Sequence, residues 1–161
     1  MVKDNLNIFR QYFIQADTWE KRRDGIPLDL LDNLSESEKA IAEKELIQSL
    51  NKEDWWPIVG LAHLQSQDAV EDMKLLLTES DGLIRIMIAN TLYTITKKLD
   101  WLPIVIETIP KINYEYDIEK MLIFMPAYND VRIRKFIKTY ASHSNKLIAK
   151  YAQLYLSNTQ E

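Results

Sequence analysis

The residues best suited to chemistry in this sequence are few and widely spaced. The two histidines, His63 and His143, are not followed by glutamate and form no H-x-x-x-H pair. The chain has no cysteine, so thiolate catalysis and cysteine-ligated metals are excluded. Its three scattered glycines cannot form a phosphate-binding loop. We therefore predict no catalytic residue, no metal site and no cofactor.

Two polar residues lie in apolar helical segments. His63 stands between Ala62 and Leu64, and we interpret it as a structural or surface histidine, with a functional role as the alternative. Glu107 interrupts the apolar run PIVIETIPKI, and Lys111 follows four residues later. Opposite charges at this spacing predict an exposed ion pair on a helix.

Two similar hexapeptides, DWWPIV and DWLPIV, combine an aspartate with tryptophan and proline. We expect Asp54 and Asp100 to cap helix N-termini, with the proline in the first turn, where its missing N–H is harmless. The tryptophans, Trp55, Trp56 and Trp101, leave two alternatives open. They pack at the core or its rim, or they contact a partner, a role in which tryptophan is over-represented.

The segment NYEYDIE places aromatic and acidic residues at a predicted helix N-terminus. Acidic side chains there are stabilised by the helix dipole. The alternative is an acidic and aromatic patch that binds a basic partner. Together with the hexapeptides, this segment gives the candidate partner-binding residues: Asp54, Trp55, Trp56, Trp101, Tyr114, Glu115, Tyr116 and Asp117.

The C-terminal end is basic, whereas the chain as a whole carries a net charge of −4. Between residues 131 and 160 there is no acidic residue, and three tyrosines, Tyr140, Tyr151 and Tyr155, could stack on bases. A solvated helix face is the simpler interpretation, and the acidic body disfavours nucleic acid as a partner. The candidate basic patch consists of Arg132, Arg134, Lys135, Lys138, Lys146 and Lys150.

Hydrophobic periodicity predicts helices almost throughout. The first 33 residues are expected to form a cap helix and a loop at 16–27, and residues 34–158 a helical array within a single domain. Ser35 and Glu38 have the spacing of a capping box. The predicted helices of the array are 36–50, 54–65, 67–79, 82–97, 100–112, 115–127, 131–142 and 145–157.

Part of the array is internally similar. The segment GLIRIMIANTLYTI aligns with NKLIAKYAQLYLSN at an offset of 63 residues, which superposes Ala89 on Ala152. Residues 66–95 combine an Ala-Val helix start, an LLL helix end, an acidic-Gly turn, Arg85 early in the second helix and Ala89 three residues before Leu92. On these residues the chain resembles HEAT-like repeat proteins.

The resemblance implies an all-α fold, an α-α superhelix forming a right-handed solenoid of about four hairpins behind an N-terminal helical cap. HEAT-like arrays are mostly binding scaffolds, so it implies a non-enzymatic protein–protein interaction module. Its specific form would be an immunity protein that occludes the active site of a toxin domain. The alternative is a nucleic-acid-binding protein related to alkyl-DNA glycosylases, whose catalytic Asp and Trp have no counterpart here.

The expected location is cytoplasmic. The N-terminal segment lacks the apolar core and small-residue cleavage site of a signal peptide. No stretch approaches the ~18 apolar residues that span a bilayer.

Overall fold

Helices account for all regular structure in residues 4–159, which are the residues that the computed structural model describes. The predicted all-α class is therefore confirmed. Short 3₁₀ turns, Leu99–Trp101 and Ile109–Lys111, flank α8 on both sides. The α-helices are α1 Asn5–Phe9, α2 Trp19–Arg22, α3 Asp29–Asp32, α4 Glu36–Gln48, α5 Trp56–His63, α6 Val70–Glu79, α7 Gly82–Thr96, α8 Leu102–Thr108, α9 Glu115–Phe124, α10 Val131–Lys138 and α11 Lys146–Asn158.

Each predicted helix of the array has a counterpart in the structure. Most of these helices are shorter than predicted, whereas α11 ends one residue later. The largest differences, of four residues, are at the ends of α8 and α10. The prediction of a loop at 16–27 is wrong at α2. There the Thr18 hydroxyl accepts the Lys21 N–H and starts a single helical turn within a polar segment.

Helices α5, α7, α9 and α11 form a row in which each contacts the next. Helices α4, α6 and α10 pack on α5, α7 and α11 respectively, and α8 packs on α7. Helix α7 lies at the centre and is buried around most of its circumference, including Asn90 and Thr91. Ala89 on α7 and Ala152 on α11 are completely buried, as expected where helices approach closely.

Local capping explains where the helices begin. Ser35 and Glu38 form the predicted capping box, with the Ser35 N–H donating to Glu38 Oε2 at 2.8 Å. The prolines of both hexapeptides lie in first turns, as predicted. The capping role assigned to Asp100 is wrong, because Asp100 lies inside a 3₁₀ turn and Trp101 holds the N-cap position of α8 without a side-chain bond.

The N-terminal helix turns into one turn of π-helix, Arg10–Ile14, in which the Gln15 N–H donates to the Arg10 carbonyl at 2.9 Å. Phe9 and Phe13 are buried on its inner side. Phe13 rests on α5 at Gly60, where an added Cβ would lie 3.0 Å from Phe13 Cζ and 3.2 Å from Leu46 Cδ1. Glycine at this position lets the N-terminal segment approach the helical row.

We expect Gly60→Ala to lower the free energy of unfolding by about 1–3 kcal/mol, the usual penalty for overpacking a core. Alanine favours a helix over glycine by about 1 kcal/mol, so a loss of stability isolates the steric effect. Urea denaturation measures it. Phe13→Leu in the same chain should recover part of the loss, and a Gly60→Ala variant at least as stable as the parent would disprove the close contact.

Candidate functional site

Arg22 holds the polar N-terminal segment against the start of α5. Its Nη1 and Nη2 atoms donate to Asp54 Oδ1 and Oδ2 at 2.9 and 2.6 Å, and its Nε donates to the Ala16 carbonyl. Its guanidinium carbon lies 4.3 Å from the centroid of a Trp56 ring. The flat guanidinium thus makes a two-pronged ion pair and a stacking contact together.

Asp54 has a different role from the one expected. Oδ1 accepts the Trp56 N–H at 3.0 Å, so Asp54 does help to begin the helix, but α5 starts at Trp56 and Trp55 occupies the N-cap position. Both carboxylate oxygens are also bound by Arg22. Asp54 therefore supports the fold locally and has little free charge to offer a partner.

Next to this ion pair lies a cavity of about 340 Å³ with aromatic walls. We call it the aromatic groove and define it by Trp19, Trp55, Trp56, Tyr116 and Phe124. Trp19 comes from α2, the next two residues from the start of α5, and the last two from α9. The groove therefore unites segments that are about 100 residues apart in the sequence.

The floor of the aromatic groove is buried and well packed, and its rim is exposed. The Trp55 ring packs against Phe124 with centroids 5.2 Å apart and meets the Trp56 ring edge-on at 6.3 Å. These are favourable geometries for aromatic pairs. Trp55 and Trp56 keep only 7% and 2% of their surface exposed, whereas Trp19 keeps 73% and Tyr116 46%. Trp19 and Tyr116 are thus the aromatic side chains that a ligand would touch.

A second, polar cavity of about 430 Å³ shares Arg22, Trp55 and Tyr116 with the groove. Three acidic residues, which we call the acidic rim, line it: Glu53, Asp81 and Asp117. They lie close to the N-terminal ends of α5, α7 and α9. Partial burial raises the pKa of the Asp117 carboxyl above its usual value, because desolvation disfavours the charged form.

The opposite flank of the groove is basic. Lys120 lies 5.0 Å from the Tyr116 ring centroid and pairs with Glu119 at 3.0 Å. Arg23 is more exposed and stands 3.8 Å from Asp24. The site is therefore mixed in charge, with acids at one end and cations beside the rings, whereas the sequence suggested an acidic and aromatic patch without cations.

The structure brings several of the predicted partner-binding residues to this site and separates others. Trp55, Trp56, Tyr116 and Asp117 line the two cavities, and Asp54 supports them. The rest lie elsewhere or beside the site. Tyr114 is 69% exposed, with its ring centroid 6.5 Å from that of Tyr116. Glu115 accepts a hydrogen bond from Asn145, the N-cap residue of α11, at 3.0 Å, and Trp101 donates to Thr96 Oγ1 at 3.3 Å.

The candidate basic patch is partly used inside the protein. Arg134 Nη1 donates to the Leu156 carbonyl at 2.8 Å and to the Thr159 hydroxyl at 2.6 Å, so this residue fastens the end of α11. Arg132 pairs with Asp130 at 2.7 Å. Four exposed lysines complete the patch: Lys135, Lys138, Lys146 and Lys150.

The tyrosines proposed as stacking platforms are mostly inaccessible. Tyr140 and Tyr155 are buried, at 9% and 6% exposure, and only Tyr151 is half-buried. Base stacking needs an exposed ring face. The observed arrangement therefore gives the nucleic-acid alternative little of the aromatic surface that it requires.

Trp19, Arg22 and Phe124 were not identified from the sequence. The polar segment ADTWEKRRDGIP was interpreted as a loop, yet a tryptophan within such a segment and next to a basic run is itself a signal of a contact site. Phe124 is indistinguishable in sequence from a core residue of α9. Its position on a cavity wall follows only from how α9 packs.

The other polar residues singled out have structural partners. His63 Nε2 lies 2.8 Å from Asp32 Oδ1, and Lys111 Nζ donates to Glu107 Oε1 at 2.8 Å, which is the predicted ion pair. The lysine holds the pKa of the Glu107 carboxyl below its usual value, chiefly through this hydrogen bond. Across residues 4–159, no cluster of three or more histidine or acidic side chains is arranged to hold a metal ion.

Comparison of the chain with known proteins gives no relative from which a function could be transferred. No protein-family model, no curated protein and no solved structure matches it. Within the described part of the chain, no helix has both the length and the apolar character needed to cross a membrane. The geometry of the cavities is therefore the basis for assigning a function.

We expect Arg22→Ala to release the segment 17–28 from α5 while leaving the helical row folded. The stability loss should be about 1–2 kcal/mol, because a partly buried charged hydrogen-bond pair is lost. Limited proteolysis should show new cleavage within 17–28, and Trp56, no longer covered, should change its fluorescence. Arg23→Ala is the matched control, and cleavage equal in both variants would show that Arg22 is not the tether.

Proposed function

We propose that this protein is a non-enzymatic interaction module that binds a polypeptide partner in the aromatic groove. The observation that carries the proposal is the pairing of two exposed aromatic side chains, Trp19 and Tyr116, with a buried, packed aromatic floor. Interaction hot spots have this construction, an aromatic anchor site in a well-packed surrounding.

The size of the groove favours one anchoring side chain over a larger ligand. At about 340 Å³ it lies at the lower end of the ~300–1,000 Å³ typical of small-molecule pockets. Its walls are apolar rings, and the adjoining acidic rim continues the concave surface. We infer that the partner inserts an apolar or aromatic side chain and carries a basic residue beside it.

Inhibitory binding is the specific form of this proposal. In it the protein acts as an immunity protein, and the groove and acidic rim cover the active site of a basic toxin domain. The net charge of −4 and the acidic rim support this form, because complementary charge accelerates encounter. The proposal includes a HEAT-like right-handed solenoid, supported by the row α5, α7, α9 and α11 with helices packed behind it.

Affinity capture from the native cells, followed by mass spectrometry, tests the proposal. We expect one protein in near-stoichiometric amount with the parent chain, and a loss of at least tenfold with Trp19→Ala or Tyr116→Ala, because hot-spot truncation removes 2 kcal/mol or more, roughly. Tyr12→Ala is the control, since Tyr12 is exposed and lies away from the groove. If Tyr12→Ala lowers the amount of captured protein as much as the groove variants do, or if none of the three substitutions lowers it, the groove is not the docking site.

Charge reversal of the acidic rim should slow association with the captured protein. We expect Glu53→Lys together with Asp81→Lys to lower the association rate several-fold at low salt, with the difference vanishing at about 1 M salt, where the Debye length is ~3 Å. Stopped-flow fluorescence of the groove tryptophans measures the rate. Asp68→Lys, an exposed aspartate outside both cavities, should change it little. A rim variant as fast as this control contradicts electrostatic steering by the rim.

A further inference from the structure

A third cavity, of about 320 Å³, lies between α5 and α7 and differs from the aromatic groove in chemistry. Its walls are apolar, formed by Leu28, Val59, Met87 and Phe124. Its polar lining includes Gln65, whose Nε2 donates to the Ala62 carbonyl at 2.9 Å. The other four polar residues, which we call the amide site, are His63, Asn90, Thr91 and Thr94. Apolar walls with a few convergent polar groups are typical of a ligand site.

Three polar groups of the amide site, Asn90 Nδ2 and the Thr91 and Thr94 hydroxyls, form no hydrogen bond within residues 4–159. Asn90 is 2% exposed, and its Nδ2 is one of two buried side-chain nitrogen atoms in residues 4–159 that make no hydrogen bond. The Thr91 and Thr94 hydroxyls form none within the described chain either, whereas the Thr96 hydroxyl of the same helix donates to the Leu92 carbonyl at 2.6 Å. An unpaired buried donor such as Asn90 Nδ2 is costly and rare, so its position beside two unbonded hydroxyls requires an explanation.

The orientation of the Asn90 amide is fixed by Tyr128. The buried Tyr128 hydroxyl donates to Asn90 Oδ1 at 2.7 Å. Burial raises the pKa of this hydroxyl above its usual value, so it keeps its proton and needs an acceptor. If the Asn90 amide were flipped, so that its nitrogen faced Tyr128, the Tyr128 hydroxyl proton would have no acceptor. The Asn90 Nδ2 atom is therefore a hydrogen-bond donor without an acceptor in the described chain, and a carbonyl oxygen would be a suitable acceptor for it.

His63 supplies the opposite kind of group. Its Nε2 lies 2.8 Å from Asp32 Oδ1, and a carboxylate neighbour requires the proton on that nitrogen. In the neutral ring Nδ1 is then an acceptor. The amide site thus combines a donor with an acceptor and two hydroxyls, and Asp32 disfavours an anionic ligand nearby.

We propose that the amide site binds a carboxamide group. Its oxygen accepts from Asn90 Nδ2, and its NH₂ donates its two hydrogens to two of three acceptors, which are the Thr91 hydroxyl, the Thr94 hydroxyl and His63 Nδ1. A carboxamide presents an acceptor and donors side by side and carries no charge, which matches these groups. Its short aliphatic stem contacts the apolar walls.

The source of the carboxamide is an asparagine or glutamine side chain of the docked partner. Phe124 lines both this cavity and the aromatic groove, so a segment that anchors in the groove can reach the amide site. This source rests on the proposed function. The preference of the cavity for a carboxamide rests on the four polar residues alone.

Nuclear magnetic resonance titration of the full chain with isobutyramide, and separately with isobutyrate, tests the amide site. We expect saturable shifts of the Thr91, Thr94 and Asn90 side-chain signals with the amide, with a Kd on the order of 10 mM because so small a ligand makes few contacts. Isobutyrate has the same shape but is an anion, and it should cause no such shifts.

Asn90→Asp is the main variant, because it keeps an acceptor for the Tyr128 hydroxyl and removes the amide NH₂. It also adds a buried carboxyl, so circular dichroism and urea denaturation accompany the titration to confirm that the variant is folded. It should weaken isobutyramide binding at least tenfold, which corresponds to about 1.4 kcal/mol. Asn113→Asp makes the same chemical change at an exposed position and should have no effect. Thr94→Val provides a second variant that leaves the Asn90–Tyr128 bond intact, and we expect a smaller loss.

The proposal is overturned if isobutyramide causes no saturable shift at these residues, if isobutyrate binds equally well, or if Asn90→Asp binds like the parent. In each case Asn90 Nδ2 is not a binding group for a carboxamide in this cavity. None of these results would affect capture through the aromatic groove, which is measured with Trp19 and Tyr116 variants, so the two proposals fail separately.

Discussion

The close approach of the N-terminal segment to Gly60 is the contact on which the rest of the structure depends. Phe13 rests on the bare backbone of α5, and the rings of Phe13 and Trp56 meet with centroids 5.6 Å apart. This contact determines how close to α5 the chain after Phe13 runs, and at that distance Arg22 can bind Asp54. Only then does Trp19 stand opposite Tyr116. A bulkier residue at position 60 would push apart two surfaces that build the groove.

Local features were predictable from the sequence because their causes lie within a few residues. The Ser35 and Glu38 capping box, the prolines in first turns and the Glu107 and Lys111 pair each depend on spacings of three or four. The groove was not predictable in this way. Arg22 and Asp54 are 32 residues apart in the sequence. Asp54, which was expected to cap a helix, binds this arginine with both carboxylate oxygens. Asp100, in a nearly identical hexapeptide, has no such arginine and ends in a 3₁₀ turn.

Composition was a poor guide to the chemistry of the site. The chain is acidic overall, yet the aromatic groove has cations on one flank. In the basic C-terminal part of the sequence, Arg134 binds the Leu156 carbonyl and so stabilises the end of α11. Charge counted along a sequence ignores which side chains neutralise one another in space. The amide site illustrates the same limit, because Asn90 and the threonines of α7 have the sequence pattern of a buried helix. Only the three-dimensional structure shows that Asn90 Nδ2 and the threonine hydroxyls have no hydrogen-bond partner in the described chain.

The two walls of the aromatic groove differ in how much they are packed against the core. The wall from α5 and α9 is part of the core, whereas the wall bearing Trp19 comes from an exposed polar segment held mainly through Arg22. Inherited changes at Trp19 or its exposed neighbours would reshape the groove without repacking any helix. Related chains could therefore diverge in what they recognise while keeping one architecture, and variation concentrated at 17–26 would be the evolutionary trace of a changing partner.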